Sequence, residues 1–365
     1  MAGALPLKEP EWEETALADS QEPNGVSESA AEAAPEPLEK RFFNLQTLIS
    51  FLFAFAIIYF LVTKIDIDVG QTLARIRQAN IWLYLAGFVV YYLSFPARAL
   101  RWQVLLRNVG FDGRPENRLP SAPGLMEIIF LSWFANCVVP AKLGDAYRGY
   151  LLKQSTGVSF SKTMGTILAE RIIDVVALFS LLTLAGLKVF HGHIPDALMS
   201  MFLFGAALVG LIIVVLVAMK LLGGHLQRRL PARLQDIYGK LEEGTLLSFR
   251  QLPLLIGYTS FIWLAEGGRF WLVAGSLGLT SVGLSMVIFI ALASSLLTTL
   301  PVTPAGLGVV ESALVAVLLL ANNLGVIHGV DENLAASVAV LDRTISYWSI
   351  VVFGLIVYVA SRRRR

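Results

Sequence analysis

Apolar residues in this chain come in long blocks. Blocks close to the ~20 residues that cross a bilayer lie at 44–63, 81–102, 166–188, 197–220, 253–276, 283–300, 306–325 and 335–360, and a shorter one lies at 123–139. They predict an all-α polytopic membrane protein with about six to eight transmembrane helices. The short block ends at Pro140-Ala-Lys-Leu-Gly144, and the same pattern returns as Pro304-Ala-Gly-Leu-Gly308. Proline and glycine both break helices, so each pentapeptide interrupts an apolar stretch. Each is followed by a carboxylate, Asp145 or Glu311.

Lys and Arg set the expected orientation through the positive-inside rule. Segment 220–252 carries Lys220, Arg228, Arg229, Arg233, Lys240 and Arg250, and the chain ends in Arg362 to Arg365. Both are expected in the cytoplasm. The connections 189–196, 276–282 and 326–334 contain no Lys or Arg and are expected outside. Regions 103–124 and 145–162 both carry basic residues, yet only the 123–139 block separates them. One crossing cannot join two regions on one side, so 123–139 is expected to enter, break at the pentapeptide and return as a re-entrant hairpin. Such a break survives in a membrane only where it is buried in protein or lines a wet cavity. At the second copy, charge counting leaves open a hairpin or two full spans across 283–325.

Flanking landmarks favour a duplication. Arg101-Trp102 precedes the first pentapeptide and Arg269-Phe270 the second; Glu170-Arg171 follows the first and Asp342-Arg343 the second. The offsets are 168, 164 and 172 residues in the same order. Two such units with reversed directions make an inverted-topology repeat with one or two re-entrant hairpins, whose broken helices meet near the bilayer midplane. The expected segments are a disordered acidic tail over 1–40, repeat 1 with a connecting helix over 41–222, a basic linker over 223–252, repeat 2 over 253–361, and a basic end over 362–365. The hairpin tips would be Pro140, Gly144, Pro304, Gly306 and Gly308.

Composition agrees with a membrane class: 56% of residues are hydrophobic and 15% charged. The formal charge of +2 hides an acidic tail with ten carboxylates against Lys8 and Lys40, leaving 27 basic and 17 acidic residues in the remainder. The tail has too little apolar surface to offset its ordering entropy. One cysteine, Cys137, and four scattered histidines offer no disulfide framework and no metal site. No P-loop, nucleophile elbow, zinc motif or dinucleotide fingerprint occurs, and neither a cofactor nor a nucleic-acid partner is expected. Segment 226–238, rich in arginine, is expected to form a basic amphipathic helix at an anionic leaflet.

Charges inside apolar blocks need a partner or a purpose, because each costs about 2.5–3.5 kcal/mol at the bilayer centre on insertion scales. Local spacing pairs Arg171 with Glu170 and Asp174, Arg343 with Asp342, and Arg269 with Glu266; Arg98 and Arg101 have no acid near them in sequence. Two readings stand at this point. The arginines hold helices together or snorkel to headgroups, or they receive an anionic ligand such as a lipid phosphate, which suits the guanidinium fork.

Pro140-Ala-Lys-Leu-Gly-Asp145 with Arg148, then Leu168-Ala-Glu-Arg-Ile-Ile-Asp174, then Pro304-Ala-Gly-Leu-Gly-Val-Val-Glu311 resemble the flippase-like transmembrane domain of the lysylphosphatidylglycerol synthase family. The resemblance spans about 42–360, with Gly144-Asp145 where the family usually has Gly-Glu. It implies lipid translocation without lipid synthesis, since the soluble synthase domain of bifunctional members is missing from this sequence. Members move an aminoacylated phospholipid, and stand-alone relatives are tied to polyprenyl-phosphate and hopanoid lipids. The expected substrate site is therefore Arg101, Asp145, Arg148, Glu170, Arg171, Asp174, Arg269, Glu311, Asp342 and Arg343. The protein would sit in the cell membrane with both termini cytoplasmic. Two alternatives remain: a membrane transferase on a lipid-linked substrate with Asp145 or Glu170 as base, or a non-catalytic partner of lipid-modifying and cell-envelope enzymes.

Overall fold

The computed structural model describes residues 44–111, 119–139, 143–192, 194–279, 282–297 and 303–364. The tail 1–40, Arg114, Arg118, Pro140, Lys142, His193 and Arg365 lie outside the described residues. The described elements are all helical: α1 (Leu45–Lys64), α2 (Val69–Arg77), α3 (Ile81–Asn108), α4 (Ala122–Val138), α5 (Leu143–Thr156), α6 (Phe160–Val189), α7 (Asp196–Arg229), α8 (Ala232–Ser248), α9 (Leu252–Ser276), α10 (Leu284–Leu297), α11 (Val309–Asn323), α12 (Glu332–Arg343) and α13 (Ser349–Arg364). A π-helical turn, Thr344–Trp348, joins α12 to α13.

Among the described residues, six stretches are long and apolar enough to cross a membrane: Leu45–Lys64, Ile81–Asn108, Phe160–Val189, Phe202–Arg229, Pro304–Asn323 and Glu332–Ser361. This is a polytopic all-α membrane protein. α4, at 17 residues, is the shorter apolar helix expected over 123–139. α9 has 25 residues and is interrupted chemically by buried Glu266 and Arg269.

Helix ends follow local chemistry. Asp68 caps α2 by accepting from the Gly70 and Gln71 N–H groups, and Asn80 caps α3 through the N–H groups of Trp82 and Leu83. The expected basic helix over 226–238 is a correction: α7 runs on to Arg229, the chain turns extended at Leu230, and α8 begins after Pro231. Proline lacks the N–H that continuation requires but is tolerated at a helix start. α8 then packs along α6. A Cβ on Gly165 would lie 2.5 Å from the Leu241 carbonyl oxygen, and one on Gly244 would lie 2.3 Å from that of Lys162. The two glycines let the helix backbones touch.

The most extensive helix pairing is that of α3 with α9. α4 packs on α3, α5 and α13; α10 packs on α9, α11 and α6. α5 lies against α6, and α11 against α12. The Tyr347 hydroxyl, in the π turn, donates to the Cys137 carbonyl near the end of α4 at 2.9 Å.

Connections sort into two faces. At one, Arg75 pairs with Asp331 at 2.6 Å, the Asp68 N–H donates to Asn333, and the Asn80 N–H donates to the Ser276 carbonyl. At the other, the Asn108 amide donates to the Ser248 carbonyl and Lys162 pairs with Glu243. The Lys/Arg-free connections 276–282 and 326–334 thus meet at one face, and the basic regions around 108, 162 and 248 meet at the other.

Candidate functional site

Six arginines and six carboxylates from α3, α5, α6, α9, α11 and α12 form ion pairs between helices inside the bundle. On α3, Arg98 and Arg101 are three residues apart and share a face. Arg101, with no exposed surface, donates through its two terminal nitrogens to Asp174 at 2.5 and 3.0 Å, lies 3.1 Å from Glu170, and donates to Thr259 at 2.8 Å. Glu170 also accepts both terminal nitrogens of Arg148, at 3.0 and 2.9 Å, and that guanidinium stacks on Trp102, 3.8 Å from the ring centre. Arg98 donates to Glu266 at 2.8 Å. Glu266 pairs as well with Arg269 at 3.2 Å, and Arg269 reaches across to Asp342.

Two sequence separations repeat. Arg101 and Asp174 are 73 residues apart, and so are Arg269 and Asp342. Arg98 and Glu266, which pair with each other, stand 168 apart, the offset between Arg101 and Arg269. Arg101 touches Thr259 while Arg269 lies over Tyr91, again positions 168 apart.

The carboxylate after each pentapeptide is tied to an arginine on a later helix. Arg171 on α6 grips Asp145 side-on, at 2.9 Å through Nε and 2.6 Å through a terminal nitrogen. Arg343, at the end of α12, donates to Glu311 at 2.7 Å and to the Ala305 carbonyl at 3.1 Å. Glu311 simultaneously accepts the Gly308 N–H at 2.7 Å, capping α11. These pairings correct the local ones expected from sequence. Glu170 and Asp174, one turn apart, face Arg101, whereas Arg171 is rotated by about 100° and faces the tip; Asp342 and Arg343 diverge in the same way.

The tips themselves require their glycines. A Cβ on Gly144 would lie 2.1 Å from the Ser132 carbonyl oxygen, which the Gly144 turn approaches while its N–H bonds Asn136 at 2.9 Å. Gly308 has φ +83°, and Ala305 is held at φ +43°, a region that costs an L-residue energy. Gly306, also at positive φ, is buried between them.

One cavity of about 210 Å³ lies among these ion pairs. Asn136, Cys137 and Val139 line it from the end of α4, and Thr303 and Ala305 from the start of the second pentapeptide region. Arg98, Arg171, Asp174, Glu266, Arg269, Asp342 and Arg343 supply its charged wall. Leu178, Phe270, Val310 and Leu314 supply an apolar one.

The family model described as the lysylphosphatidylglycerol synthase TM region matches residues 47–354. The chain belongs to this family. It is 38% identical over 226 residues to a UPF0104 membrane protein of Methanocaldococcus jannaschii, covering 62% of this chain and 93% of that one. A UPF0104 membrane protein of Pyrococcus horikoshii is 24% identical over 325 residues, 81% of this chain and 92% of its own. The glycosyltransferase AglD of Haloferax volcanii is 31% identical over 121 residues, 33% of this chain and 17% of that protein.

In this member of the lysylphosphatidylglycerol synthase transmembrane family, the ten expected site residues divide into two groups. Arg171, Asp174, Arg269, Asp342 and Arg343 line the cavity; Arg101, Asp145, Arg148, Glu170 and Glu311 stand behind it as their neighbours and counter-charges. The expected site omits Arg98, Glu266, Trp133 and Trp263, all on the cavity wall. Arg98 and Glu266 carried a visible signal, charge within an apolar block, but their partnership spans 168 residues. The tryptophans carried none that separates them from lipid-facing aromatics.

Proposed function

We propose that this protein translocates lipids between leaflets, taking the headgroup of a phospholipid, an aminoacylated phospholipid or a polyprenyl-phosphate-linked lipid into the cavity between the two tips. The observation that carries this reading is that Arg171 and Arg343, each holding a Pro-Ala-x-Leu-Gly tip through the carboxylate that follows it, line the same cavity. A charged cavity inside a membrane bundle is costly unless it serves a polar cargo. Its apolar wall suits the adjoining glyceryl and acyl groups.

In this proposal the chain is an inverted repeat, 41–222 and 253–361, joined by 223–252. The packing supports it: α4 of the first half rests on α13 of the second, and α10 of the second rests on α6 of the first. α4, at 17 residues, extends about 26 Å, short of a ~30 Å hydrocarbon core. We read α4–α5 as re-entrant from the cytoplasm and α10–α11 as its counterpart from outside, although α11 with its 3₁₀ turn has the length of a span. Both termini are then cytoplasmic at the cell membrane, where Arg228 and Arg229 meet anionic lipid, and a lipid-modifying enzyme is a candidate partner.

The transferase alternative needs a free base. Both oxygens of Asp145 and of Glu170 are engaged by guanidinium groups, which leaves neither placed to accept a substrate proton. The test is reconstitution of the purified protein into liposomes carrying fluorescent phosphatidylglycerol in both leaflets, followed by quenching from outside. Quenching beyond the outer-leaflet half is expected with protein. A plateau equal to that of protein-free liposomes, for phosphatidylglycerol, its lysyl ester and a polyprenyl phosphate alike, would refute translocation.

A further inference from the structure

The six core arginines differ in how far they open out of the bundle. Arg98, Arg101, Arg148, Arg269 and Arg343 keep 7% or less of their side-chain surface exposed, whereas Arg171 keeps 35%. Its pairing also leaves donors unspent. Arg171 meets Asp145 side-on, through Nε and one terminal nitrogen, and its other terminal nitrogen donates to none of the described residues. The fork between the two terminal nitrogens is thus free, and such a fork matches two oxygens of a phosphate. Every core arginine has a carboxylate partner, so recognition rests on this free fork and not on surplus charge.

The face of α6 that carries Arg171 leads inward. Leu168, 38% exposed, lies one turn nearer the basic face marked by Lys162 and Glu243, and Val175, one turn further on, lines the cavity. Residues three and four apart share a helix face, so an acyl chain can lie along Leu168 and Val175 while its phosphate meets Arg171 between them. Arg343, the counterpart 172 residues later, is spent on its own tip. It donates to Glu311 and to the Ala305 carbonyl, and its guanidinium lies 4.9 Å from the Tyr347 ring centre. α1 covers that tip: a Cβ on Gly308 would lie 2.7 Å from the carbonyl oxygen of fully buried Ala54.

We propose that the two halves divide the work: Arg171 binds the phosphate oxygens of the ligand through its free fork while Asp145 holds it in place, and Arg343 is a positioning residue that fixes the second tip. A lipid phosphodiester and a free phosphate ion share this chemistry. The inference rests on the translocation proposal and deepens it.

The experiment treats the full-length purified protein in micelles with phenylglyoxal, an arginine-selective reagent, and reads modification residue by residue by mass spectrometry. Arg171 is expected to react about tenfold faster than the other five core arginines, and dihexanoyl phosphatidylglycerol should slow it about tenfold. Dihexanoylglycerol, which lacks the phosphate, should not protect. Protection by the phospholipid alone supports a lipid phosphodiester; equal protection by inorganic phosphate would overturn the lipid as ligand and leave a free-anion site. Calorimetry with the same phospholipid separates the roles. Arg171→Lys keeps a cation for Asp145 but loses the fork, and should bind about tenfold more weakly. Arg343→Lys should bind within about twofold of wild type and yet exchange lipid more slowly in proteoliposomes. Equal reactivity of Arg171 and Arg343, absence of protection, or wild-type affinity in folded Arg171→Lys would overturn the assignment. If wild type exchanges lipid while Arg171 stays unprotected, only this assignment falls. If wild type neither binds nor exchanges lipid, the translocation reading falls with it.

Discussion

Arg101 shows how a charge becomes part of a membrane core. It is fully buried, yet three oxygens from Asp174 and Thr259 accept from it, and Glu170 adds a fourth close by. Removing one partner strands the others. Arg101→Met is therefore expected to destabilise the fold by about 3–5 kcal/mol, the usual result of leaving a buried charge unpaired. Adding Asp174→Leu should recover much of that loss, because an apolar pair of similar volume removes both charges together. Arg75→Ala, at a half-exposed pair with Asp331, should cost about 0–1 kcal/mol. Thermal or denaturant unfolding in micelles separates the three; equal losses for Arg101→Met and Arg75→Ala would contradict the buried network.

Single residues were partly legible in the sequence. That arginines and carboxylates inside apolar blocks form one constellation could be read from their positions, and so could the Arg269–Glu266 contact, which is local. The partners of Arg98, Arg171 and Arg343 could not. Each lies on another helix, and chain neighbours such as Glu170 and Asp342 point elsewhere because successive helical side chains turn by about 100°. Proximity in sequence is a poor guide to pairing once three-dimensional packing decides which face meets which helix.

At the scale of elements, the informative residues were the helix breakers. α4 ends at Val138, before the first pentapeptide, α11 begins at Val309, after the second, and Pro231 divides α7 from α8 where a single amphipathic helix was expected. Proline was visible there; the close α6–α8 packing that favours the division depends on Gly165 and Gly244, whose need becomes plain only when the backbones meet. Gly165→Leu should therefore separate α6 from α8 and destabilise by at least the ~1–3 kcal/mol of overpacking, measured by unfolding. Ala305→Gly should stabilise by about 1 kcal/mol by relieving the positive φ; loss of stability would show that the Ala305 methyl matters more than its backbone. The short helix α2 offers a pH test. Hydrogen bonds from the Gln71 backbone and side chain, together with the Gly70 N–H, hold the Asp68 carboxyl below its ordinary value. Its contribution is fully present above the unfolded carboxylate value near ~3.9 and is lost as pH falls through the lower folded value. The stability gap between wild type and Asp68→Ala should thus be constant from neutral pH down to that range and shrink below it.

For the whole molecule, hydropathy set the fold class because a bilayer imposes one length scale on every span. Charge counting grouped the connections into two faces, and the contacts of Asp331, Asn333 and Ser276 at one face and Ser248 and Glu243 at the other agree with that grouping. Which face is cytoplasmic is a proposal with a direct check, since the natural cysteine, Cys137, is single and buried. An impermeant maleimide should label His328→Cys in intact cells and Arg229→Cys only after permeabilisation; the reverse pattern would invert the orientation. The cavity was legible only in part: five of its charged residues were expected, but its walls come from α3, α4, α6, α9, α10, α11 and α12 together and no segment carries it alone.

The central claim is that the charged cavity between the two tips carries a lipid headgroup from one leaflet to the other. Its most direct measurement compares leaflet exchange of fluorescent phosphatidylglycerol in proteoliposomes containing wild type, Arg171→Ala, Arg343→Ala and, as a control away from the cavity, Arg75→Ala. The account predicts exchange by wild type and Arg75→Ala and a loss of at least tenfold in both cavity variants, with folded protein verified in each. Undiminished exchange by folded Arg171→Ala and Arg343→Ala would contradict it.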